Sequence, residues 1–288
     1  MVLRLWTTIL ALVKMVIVSL NGRLGNQLFQ YAFALCLAKK FNTGYLIDDS
    51  KFKDSFLKYF EPLTIYDNKY IKKITRRIAA KKVFKLVNQT GFEQSPFDFN
   101  QLKNNCRYEG FFQSPSFFND LSESIKNRFR IKSEYRIKFD KNYGSIFNNN
   151  KVLVIHYRLG DYLTWDVDVL GGSNLALPEE YYLQALKQIP DLDKYTIVVV
   201  TDDKENIKNK LEILKEKIVV SDNEISDFQM LMHADKLIIS NSTFAWWAAF
   251  LNIKNAQVLA PQHWIGFKVK KEYPSGILPN HFTKVQFN

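Results

Sequence analysis

The sequence contains few cysteines and histidines, and it lacks a long uninterrupted hydrophobic run. Its two cysteines, Cys36 and Cys106, exclude a disulfide framework and a cysteine-based zinc site, and they are typical of a reducing compartment. The four histidines show no metal-binding spacing such as His-Glu-x-x-His. The first apolar run, residues 5–13, ends at Lys14 and is shorter than the roughly 20 residues that cross a bilayer. Residues 1–14 are therefore predicted to be a dispensable extension, with an interfacial anchor as the alternative.

The sequence is rich in positive charge. Its 40 Lys and Arg residues outnumber 29 Asp and Glu residues, which leaves a formal net charge of +11. Such a surplus predicts an anionic partner. The basic residues form no helix-turn-helix, zinc-finger or RNA-binding motif, so no nucleic-acid partner is expected. Many of them lie in residues 69–85, where isoleucines at helical spacing predict an amphipathic basic helix. That helix is either a solvated face or a peripheral contact with an anionic membrane.

Short β-branched runs alternate with helical patterns, which is typical of βαβ units around a parallel sheet. The N-terminal half predicts strands at 15–20, 44–48 and 107–111 and helices at 25–40 and 116–129. The C-terminal half predicts strands at 152–157, 196–201, 217–220, 236–240 and 256–260, with helices starting at Pro178 and near Asp203, Ile225 and Ser242. The fold class is therefore α/β, with a doubly wound parallel sheet in the C-terminal half. The polar stretch 140–150 is predicted to separate a lobe of residues 15–147 from one of residues 148–288.

Two strand ends are candidate anion-binding sites at a helix N-terminus. In "LNGRLGNQ", Gly22 and Gly25 lie between a strand and a helix, where backbone N–H groups can approach an anion. An ordinary tight turn is the alternative. In "ISNSTFAWW", residues 240–243 offer hydroxyl groups and free N–H groups at the start of a helix. An ordinary helix cap is the alternative there.

Two further strand ends carry ionisable side chains. In "VLVIHYRLGDYL", His156 and Arg158 share one face of a strand, and the guanidinium fork of Arg158 suits phosphate oxygens. A plain ion pair between Arg158 and Asp161 is the alternative. In "TIVVVTDD", Asp202 and Asp203 can accept hydrogen bonds from ribose hydroxyls or from a guanine, or can simply cap a helix. All these residues are expected beyond the carboxyl ends of the strands, where doubly wound sheets bind ligands.

Four motifs in this order, "GRLGNQLFQYA", "HYRLGDY", "TDD" and "ISNSTFAWWAA", resemble the bacterial α-1,2-fucosyltransferases of glycosyltransferase family 11. The resemblance runs from about Met15 to Trp264. It implies two Rossmann-like lobes of the GT-B type, with the acceptor on the N-terminal lobe and the nucleotide sugar on the C-terminal lobe. It also implies an inverting enzyme that transfers fucose from GDP-fucose to the 2-hydroxyl of a galactose-type residue, without an essential metal or other cofactor.

The resemblance assigns site residues one by one. His156, Arg158 and Asp161 match the family pattern His-x-Arg-Arg-x-Asp, whereas Leu159 occupies the position of the second arginine. The catalytic residues are predicted to be Arg158, which neutralises the diphosphate, and a base that is either Asp161 or Asp166. An enzyme without a dedicated base is the alternative. The predicted donor-binding residues are Gly25, Asn26, Gln27, His156, Arg158, Asp202, Asp203, Ser240, Asn241, Ser242 and Thr243.

The expected partners are GDP-fucose and a galactose-terminated glycan acceptor carried on a lipid. The expected location is the cytoplasm, with peripheral contact at the inner face of the membrane through residues 69–85. Two other interpretations remain open at this point. One is a different sugar nucleotide or linkage on the same scaffold, and the other is a binding-only protein whose Leu159 marks a degenerate motif.

Overall fold

The computed structural model describes residues 14–52, 56–89, 101–207 and 209–287. The chain forms two compact units that divide between Ile131 and Lys132. The predicted N-terminal extension, apart from Lys14, lies outside the described residues.

The N-terminal unit is built on a parallel sheet with the strand order β2-β1-β4-β3. Its strands are β1 (Met15–Ser19), β2 (Gly44–Asp48), β3 (Lys85–Asn88) and β4 (Cys106–Glu109), and its helices are α1 (Leu24–Lys40), α2 (Lys69–Ala79) and α3 (Ser122–Arg128). Strand β1 lies inside the sheet because its β-branched and apolar residues are buried. Helix α1 packs on the sheet through fully buried apolar side chains, among them Leu28, Phe29 and Phe33.

Two predictions for this unit differ from the structure. The basic helix ends at Ala79 rather than at residue 85, and the residues beyond it turn into the edge strand β3. The predicted helix at 116–129 consists of two single 3₁₀ turns, Pro115–Phe117 and Asn119–Leu121, followed by the short helix α3.

The C-terminal unit is built on a six-stranded parallel sheet with the order β10-β9-β8-β5-β6-β7. Its strands are β5 (Val152–Tyr157), β6 (Thr196–Thr201), β7 (Ile218–Val220), β8 (Lys236–Ile238), β9 (Gln257–Pro261) and β10 (Thr283–Val285). Its helices are α4 (Ser133–Asn149), α5 (Glu179–Leu186), α6 (Lys204–Ile207), α7 (Glu224–Met232) and α8 (Thr243–Phe250). From β5 the chain adds β6 and β7 on one side and then β8, β9 and β10 on the other. The doubly wound parallel sheet predicted for this half is confirmed.

The stretch 140–150, predicted to be a turn-rich boundary, lies almost entirely within helix α4. Its polar residues occupy the exposed faces of that helix, whereas Phe139 and Phe147 are buried with their ring centroids 5.5 Å apart. The prediction of a boundary there was therefore wrong, and the units divide before α4. Among the residues that the structure describes, no helix is long and apolar enough to cross a membrane.

Candidate active site

The sheet of the C-terminal unit reverses its winding between β5 and β8, and two predicted donor residues meet there. His156, near the end of β5, is buried, and its Nδ1 atom lies 2.7 Å from the hydroxyl oxygen of Ser240 beyond β8. Parallel strands end at one edge of a sheet, so this contact lies at the position where doubly wound sheets bind ligands. Both residues lie at the strand edge where the sequence analysis expects them, and their role in donor binding stays a prediction.

His156 is a neutral imidazole at physiological pH. Burial, together with the charge of Arg158, lowers the pKa of His156 to about 3. A neutral imidazole donates one hydrogen bond and accepts another. With so low a pKa, His156 is too weak a base to remove a proton from a sugar hydroxyl at neutral pH. Its chemistry is therefore that of a fixed hydrogen-bonding group.

Arg158 leaves the end of β5 between two carboxylates. Its guanidinium Nη1 lies 2.9 Å from Asp202 Oδ2, and Nη2 forms an ion pair with Asp161. The guanidinium carbon also lies 5.3 Å from the centroid of the Tyr162 ring. The ion pair between Arg158 and Asp161, which the sequence analysis gave as the alternative to phosphate binding, is therefore present. A guanidinium group carries five N–H donors, so two ion pairs leave donors for a third anion.

Asp202 supports the turn that carries Arg158. Its Oδ1 accepts a hydrogen bond of 2.9 Å from the Leu159 backbone N–H. The next residue, Gly160, has a φ of +29°, and a Cβ atom at that position would lie 2.2 Å from Asp202 Oδ2. Both oxygens of Asp202 are engaged within the protein, so it positions Arg158 from the neighbouring strand. Sequence reasoning placed Asp202 at this edge but missed this role.

Asp203, the other aspartate of the pair, behaves as a helix cap. Its two carboxylate oxygens accept hydrogen bonds from the Asn206 backbone N–H at 3.1 Å and from the Asn206 side-chain amide at 2.6 Å. These hydrogen bonds hold the pKa of Asp203 below its usual value. The side chain lies at the start of the short helix α6, in the arrangement expected of a cap.

Leu159 occupies the position at which the family pattern has a second arginine, and its side chain points into the hydrophobic core. It is buried in a cluster that includes Tyr157, Tyr182 and Leu211. The rings of Tyr157 and Tyr182 stack there with centroids 3.9 Å apart. A cation at position 159 would lose its water in this apolar surrounding. Arg158 is thus the arginine that this motif directs away from the core.

Residues 240–243 connect β8 to helix α8 and bring buried polar atoms to the same edge. Asn241 is 1% exposed, and its side-chain amide donates to the Leu175 carbonyl at 2.9 Å. Its Oδ1 atom has no hydrogen-bond partner among the described residues, and buried acceptors of this kind are uncommon in proteins. The helix that follows leaves its first N–H groups without intrahelical partners, as every helix does. This segment therefore offers both an unused acceptor and backbone donors to a ligand.

The segment Gly25, Asn26 and Gln27 belongs to the N-terminal unit and lies in the first turn of α1. Gln27 is buried, with its side-chain amide donating to the Gly22 carbonyl at 3.2 Å and its Oε1 accepting from the Phe56 N–H at 2.8 Å. Asn26 Oδ1 accepts from the Gln113 side chain at 2.8 Å. The turn that requires glycine is at Gly22, with a φ of +74°, and not at Gly25. Gln27 therefore supports the loop from within the protein.

The two candidate bases lie in the loop after β5 and differ in their surroundings. Asp161 is exposed and forms the ion pair with Arg158. Asp166 is also exposed, and it forms no ion pair with any residue that the structure describes. The ring of Trp165, which precedes Asp166, packs against Tyr162 at a centroid distance of 5.3 Å. Of the two candidate bases, Asp166 is thus the one that is not committed to Arg158.

A further acidic pair at this edge was not predicted. Asp222 and Asp227 lie after β7, and the Asp222 N–H donates to Asp227 Oδ1 at 3.1 Å. Burial raises the pKa of Asp227 to about 6. The hydroxyl of Tyr143 donates to Asp222 at 2.8 Å. The sequence "VVSDN" carries the same signal as "VVVTDD", a strand followed by an aspartate, and would have identified Asp222.

The site combines a guanidinium fork, buried hydroxyl and imidazole groups, and the N-terminus of α8, a set that suits a diphosphate. In the described parts of the chain, no three His, Cys, Asp or Glu side chains are grouped to hold a metal ion. The sequence model of glycosyl transferase family 11 matches residues 5–281. This chain belongs to glycosyltransferase family 11. Its activity is therefore glycosyl transfer, and the family predicted from the motifs is confirmed.

Two family 11 relatives come from Escherichia coli. The O-antigen biosynthesis glycosyltransferase WbnK is 26% identical over 284 residues, which cover 85% of this chain and 93% of that protein. An alpha-1,2-colitosyltransferase is 23% identical over 284 residues, which cover 87% of this chain and 92% of that protein. This chain is thus similar over most of its length to a glycosyltransferase of O-antigen biosynthesis and to a colitosyltransferase.

Solved structures of fucosyltransferases share the fold. Fucosyltransferase NodZ from Bradyrhizobium superposes with a TM-score of 0.52 at 14% identity, covering 83% of this chain and 92% of that chain. A mutant of Arabidopsis thaliana FUT1 in complex with GDP superposes with a TM-score of 0.51 at 12% identity, covering 86% of this chain and 70% of that chain. The predicted α/β fold with Rossmann-like lobes of the GT-B type is confirmed.

Proposed function

We propose that this protein transfers fucose from GDP-fucose to the 2-hydroxyl of a galactose-type residue, with inversion at the anomeric carbon. The observation that carries the proposal is the position of Arg158, which leaves the central strand at the switch point with donors to spare. Family membership supports glycosyl transfer, and the fold shared with fucosyltransferases supports a GDP-linked donor. The four sequence motifs support fucose and the 1,2 linkage.

In this proposal the donor diphosphate binds between Arg158 and the N-terminus of α8. Arg158 contacts the phosphate oxygens, Ser240 and Thr243 offer hydroxyl groups, and the unpartnered Oδ1 of Asn241 accepts a hydrogen bond from the donor. His156 holds Ser240 in place through their 2.7 Å contact. Asp203, half-buried just after β6, accepts a hydrogen bond from a ribose hydroxyl. Gly25, Asn26 and Gln27, which belong to the N-terminal unit, remain donor-binding residues by prediction only.

The reaction is a single displacement. The acceptor oxygen forms a bond to the anomeric carbon while the bond from that carbon to the phosphate oxygen breaks, and the bonding electrons leave with GDP. Arg158 neutralises the charge that develops on the phosphate, which is the largest electrostatic demand of the step. The acceptor proton passes to Asp166, because Asp161 is committed to Arg158. With cation and backbone donors in these positions, the proposal requires no metal ion and no other cofactor.

A second candidate donor is GDP-colitose. Colitose differs from fucose in lacking one hydroxyl group, and one family relative is named as an alpha-1,2-colitosyltransferase. The diphosphate contacts proposed above are the same for both donors, so discrimination would depend on contacts to the sugar. A site that hydrogen-bonds the additional hydroxyl of fucose would reject colitose by a large factor.

The proposed setting is assembly of a surface glycan on a lipid carrier at the cytoplasmic face of a membrane. A galactose-terminated, lipid-linked glycan would be the acceptor, and the protein would be cytoplasmic with peripheral membrane contact. Support comes from the positive charge and from WbnK, which is named for O-antigen biosynthesis.

A donor panel tests this function. The purified protein is incubated with lactose and with GDP-fucose, GDP-colitose, GDP-mannose or UDP-galactose, and released nucleotide and product linkage are measured. We expect GDP release from GDP-fucose and a product bearing an α-1,2 linkage. Turnover of UDP-galactose, or of GDP-colitose alone, would show that the proposed donor is wrong. Binding of GDP without any turnover across several galactose-terminated acceptors would favour the binding-only interpretation.

Arg158→Ala, compared with Arg136→Ala on the exposed side of α4, identifies the site used. We expect the first variant to lose donor turnover and the second to retain it. Equal turnover in both variants would exclude Arg158 from the donor site.

A further inference from the structure

Helix α2 carries a continuous basic stripe that the transfer reaction does not use. Five side chains line one surface depression and follow the i, i+3, i+4, i+7, i+8 spacing of a single helix face: Lys69, Lys72, Lys73, Arg76 and Arg77. On another side of the helix, Thr75 and Ala79 are buried, and Ala79 packs with Met15 and Ile17 of β1. The packing against the sheet therefore directs the basic stripe outwards.

The charge of this stripe is only partly neutralised. Asp49 forms ion pairs with both Lys72 and Arg76. Lys73 and Arg77, together with Lys81 after the helix, form no ion pair with a carboxylate in the described residues. The surplus of cations within one helix and its adjoining turn gives this surface a local positive potential, and it attracts anions.

Large apolar side chains are exposed along the same segment. Tyr70 is 66% exposed and Ile74 is 45% exposed on α2, whereas Val83 is 95% exposed in the turn and Leu86 is 49% exposed on β3. Among the described strands, β3 lies at the edge of its sheet, so Leu86 is exposed at that edge. Exposed apolar groups that lie together usually mark an interaction site.

We propose that residues 69–86 form a docking surface for a bilayer that contains anionic phospholipid. The cations bind headgroup phosphates, and Tyr70, Ile74, Val83 and Leu86 enter the boundary between headgroups and acyl chains. Helices with a basic face and flanking apolar residues bind membranes in this way. A nucleic acid would satisfy the cations, but its phosphate backbone would leave the four apolar side chains unpaired. The residues of this surface support membrane binding by themselves. The proposed function enters only because membrane binding would bring the enzyme to a lipid-linked acceptor.

Vesicle sedimentation tests the surface. The protein is mixed with vesicles of phosphatidylcholine, with or without phosphatidylglycerol, and the bound fraction is measured as lipid is added. The test variant combines Lys73→Gln, Arg77→Gln and Lys81→Gln, three changes at exposed side chains. Each cation near an anionic leaflet strengthens binding about fivefold, so we expect the variant to bind about a hundredfold more weakly.

A matched control removes the same charge from the other unit. It combines Arg136→Gln, Lys187→Gln and Lys215→Gln, which are also exposed side chains. We expect this control to bind vesicles as the parent does, within about twofold. Equal weakening of both variants would show that net charge alone drives binding and would overturn the proposal, as would failure of the parent protein to bind anionic vesicles.

A single labelled position tests insertion of the apolar groups. The two native cysteines, Cys36 and Cys106, are buried, so Val83→Cys can be labelled selectively with an environment-sensitive fluorophore. We expect a blue shift of its emission with vesicles that contain phosphatidylglycerol and no shift with phosphatidylcholine alone. A blue shift with duplex DNA but not with vesicles would overturn the proposal in favour of a nucleic-acid surface.

Turnover of a soluble acceptor separates this inference from the proposed function. The triple variant at Lys73, Arg77 and Lys81 should convert lactose at the parent rate while losing vesicle binding. Vesicle binding without turnover of any donor would refute the function and leave the surface intact. Turnover without vesicle binding by the parent would refute the surface and leave the function intact.

Discussion

Asp202 Oδ2 lies 2.9 Å from the guanidinium Nη1 of Arg158, and this contact joins the ends of β6 and β5. The same carboxylate accepts the Leu159 N–H, so it fixes both the backbone and the side chain of the motif arginine. A phosphate-binding arginine is useful only when its fork is held in one orientation. Asp202 supplies that orientation.

Asp202 acts on the donor only through Arg158, so replacing Asp202 should impair catalysis indirectly. We expect Asp202→Ala to lower kcat/KM for the donor by about tenfold to a hundredfold, which corresponds to the loss of hydrogen bonds from a partly buried charged group. Asp193→Ala is the matched control, because Asp193 is an exposed aspartate that precedes β6 and lies away from this edge of the sheet. Steady-state kinetics with GDP release as the readout measures both. An equal loss in the two variants would contradict the positioning role.

The planar geometry of the Arg158 guanidinium group should affect kcat/KM, in addition to its positive charge. We expect Arg158→Lys to retain the positive charge but lose the geometry of its contacts, with kcat/KM reduced by about a hundredfold. Arg136→Lys on the exposed side of α4 should leave kcat/KM unchanged. Activity of Arg158→Lys near that of the parent would mean that a point charge suffices and that no bidentate contact forms.

Substitutions of Asp161 and Asp166, in the loop after β5, should change different kinetic constants. We expect Asp166→Asn to lower kcat by about a hundredfold or more with little change in donor affinity, because it removes the proposed base. Asp161→Asn should chiefly change the KM of the donor, since Asp161 contacts Arg158. The kcat values are compared with both substrates saturating, and the KM of the donor is measured by varying the donor concentration. A larger loss of kcat for Asp161→Asn would assign the base to Asp161.

Leu159→Arg should destabilise the protein rather than restore a second phosphate contact. Leu159 is buried in an apolar cluster, and an unpaired charge there should reduce the free energy of unfolding by about 3 kcal/mol or more. Leu159→Met should cost less than about 1.5 kcal/mol, because it keeps the volume and the apolar character. Denaturant unfolding of the two variants measures the difference. A stable and more active Leu159→Arg variant would show that the turn can direct this side chain to the donor.

Protonation of His156 should reduce stability in acid. The folded imidazole has a pKa of about 3, whereas the unfolded one has a value near 6.5. Below pH 6.5 the unfolded chain binds a proton that the folded chain does not, so stability is complete above that pH. It then falls by up to about 1.4 kcal/mol per pH unit as the pH decreases towards 3. We expect His156→Gln to show a shallower loss of unfolding free energy between pH 6.5 and 4.5 than the parent.

Protonation of Asp227 should change stability in the opposite direction to protonation of His156, over a similar pH range. Its folded pKa is about 6 and its ordinary value is 3.8, so the folded carboxyl holds a proton that the unfolded one releases between these values. Its contribution to stability is present at low pH and is lost as the pH rises through 6. Asp227→Asn should therefore lose stability in acid more steeply than the parent. Denaturant titrations of parent, His156→Gln and Asp227→Asn at several pH values measure both effects, and parallel curves would refute them.

The sheet of the C-terminal unit was predictable because its strands are short β-branched runs with polar ends. Strand β5 has the predicted bounds, Val152–Tyr157, and β6 also agrees. Helix α4 was missed because Asn, Asp and Ser residues lie on its exposed faces, and only Phe139, Gly144 and Phe147 are buried. Strand β10 was missed because three residues carry too little pattern, and its pairing with β9 comes from tertiary contact.

The site was predictable where one rule sufficed. Strand ends meet at one edge of a parallel sheet, so the sequence placed both His156 and Ser240 at that edge. Their contact depends on the pairing of β5 with β8, which only the structure shows. The engagement of Asp202 by the Leu159 N–H was not predictable, because it depends on the dihedral angles of one turn. The hydrogen bonds of Gln27 were not predictable for the same reason: only the folded loop shows that both ends of its amide are occupied.

The close approach of Gly160 to Asp202 also restricts how this family member can have evolved. A side chain at position 160 would collide with the carboxylate 2.2 Å away, whereas removal of the carboxylate would free the turn but release Arg158. The two positions are far apart in the sequence, yet neither tolerates change alone. Homologues with a larger residue at position 160 should therefore carry a compensating change at position 202 or a different path of this loop. Paired substitution at these two sites is therefore the pattern that we expect among homologues that keep this turn.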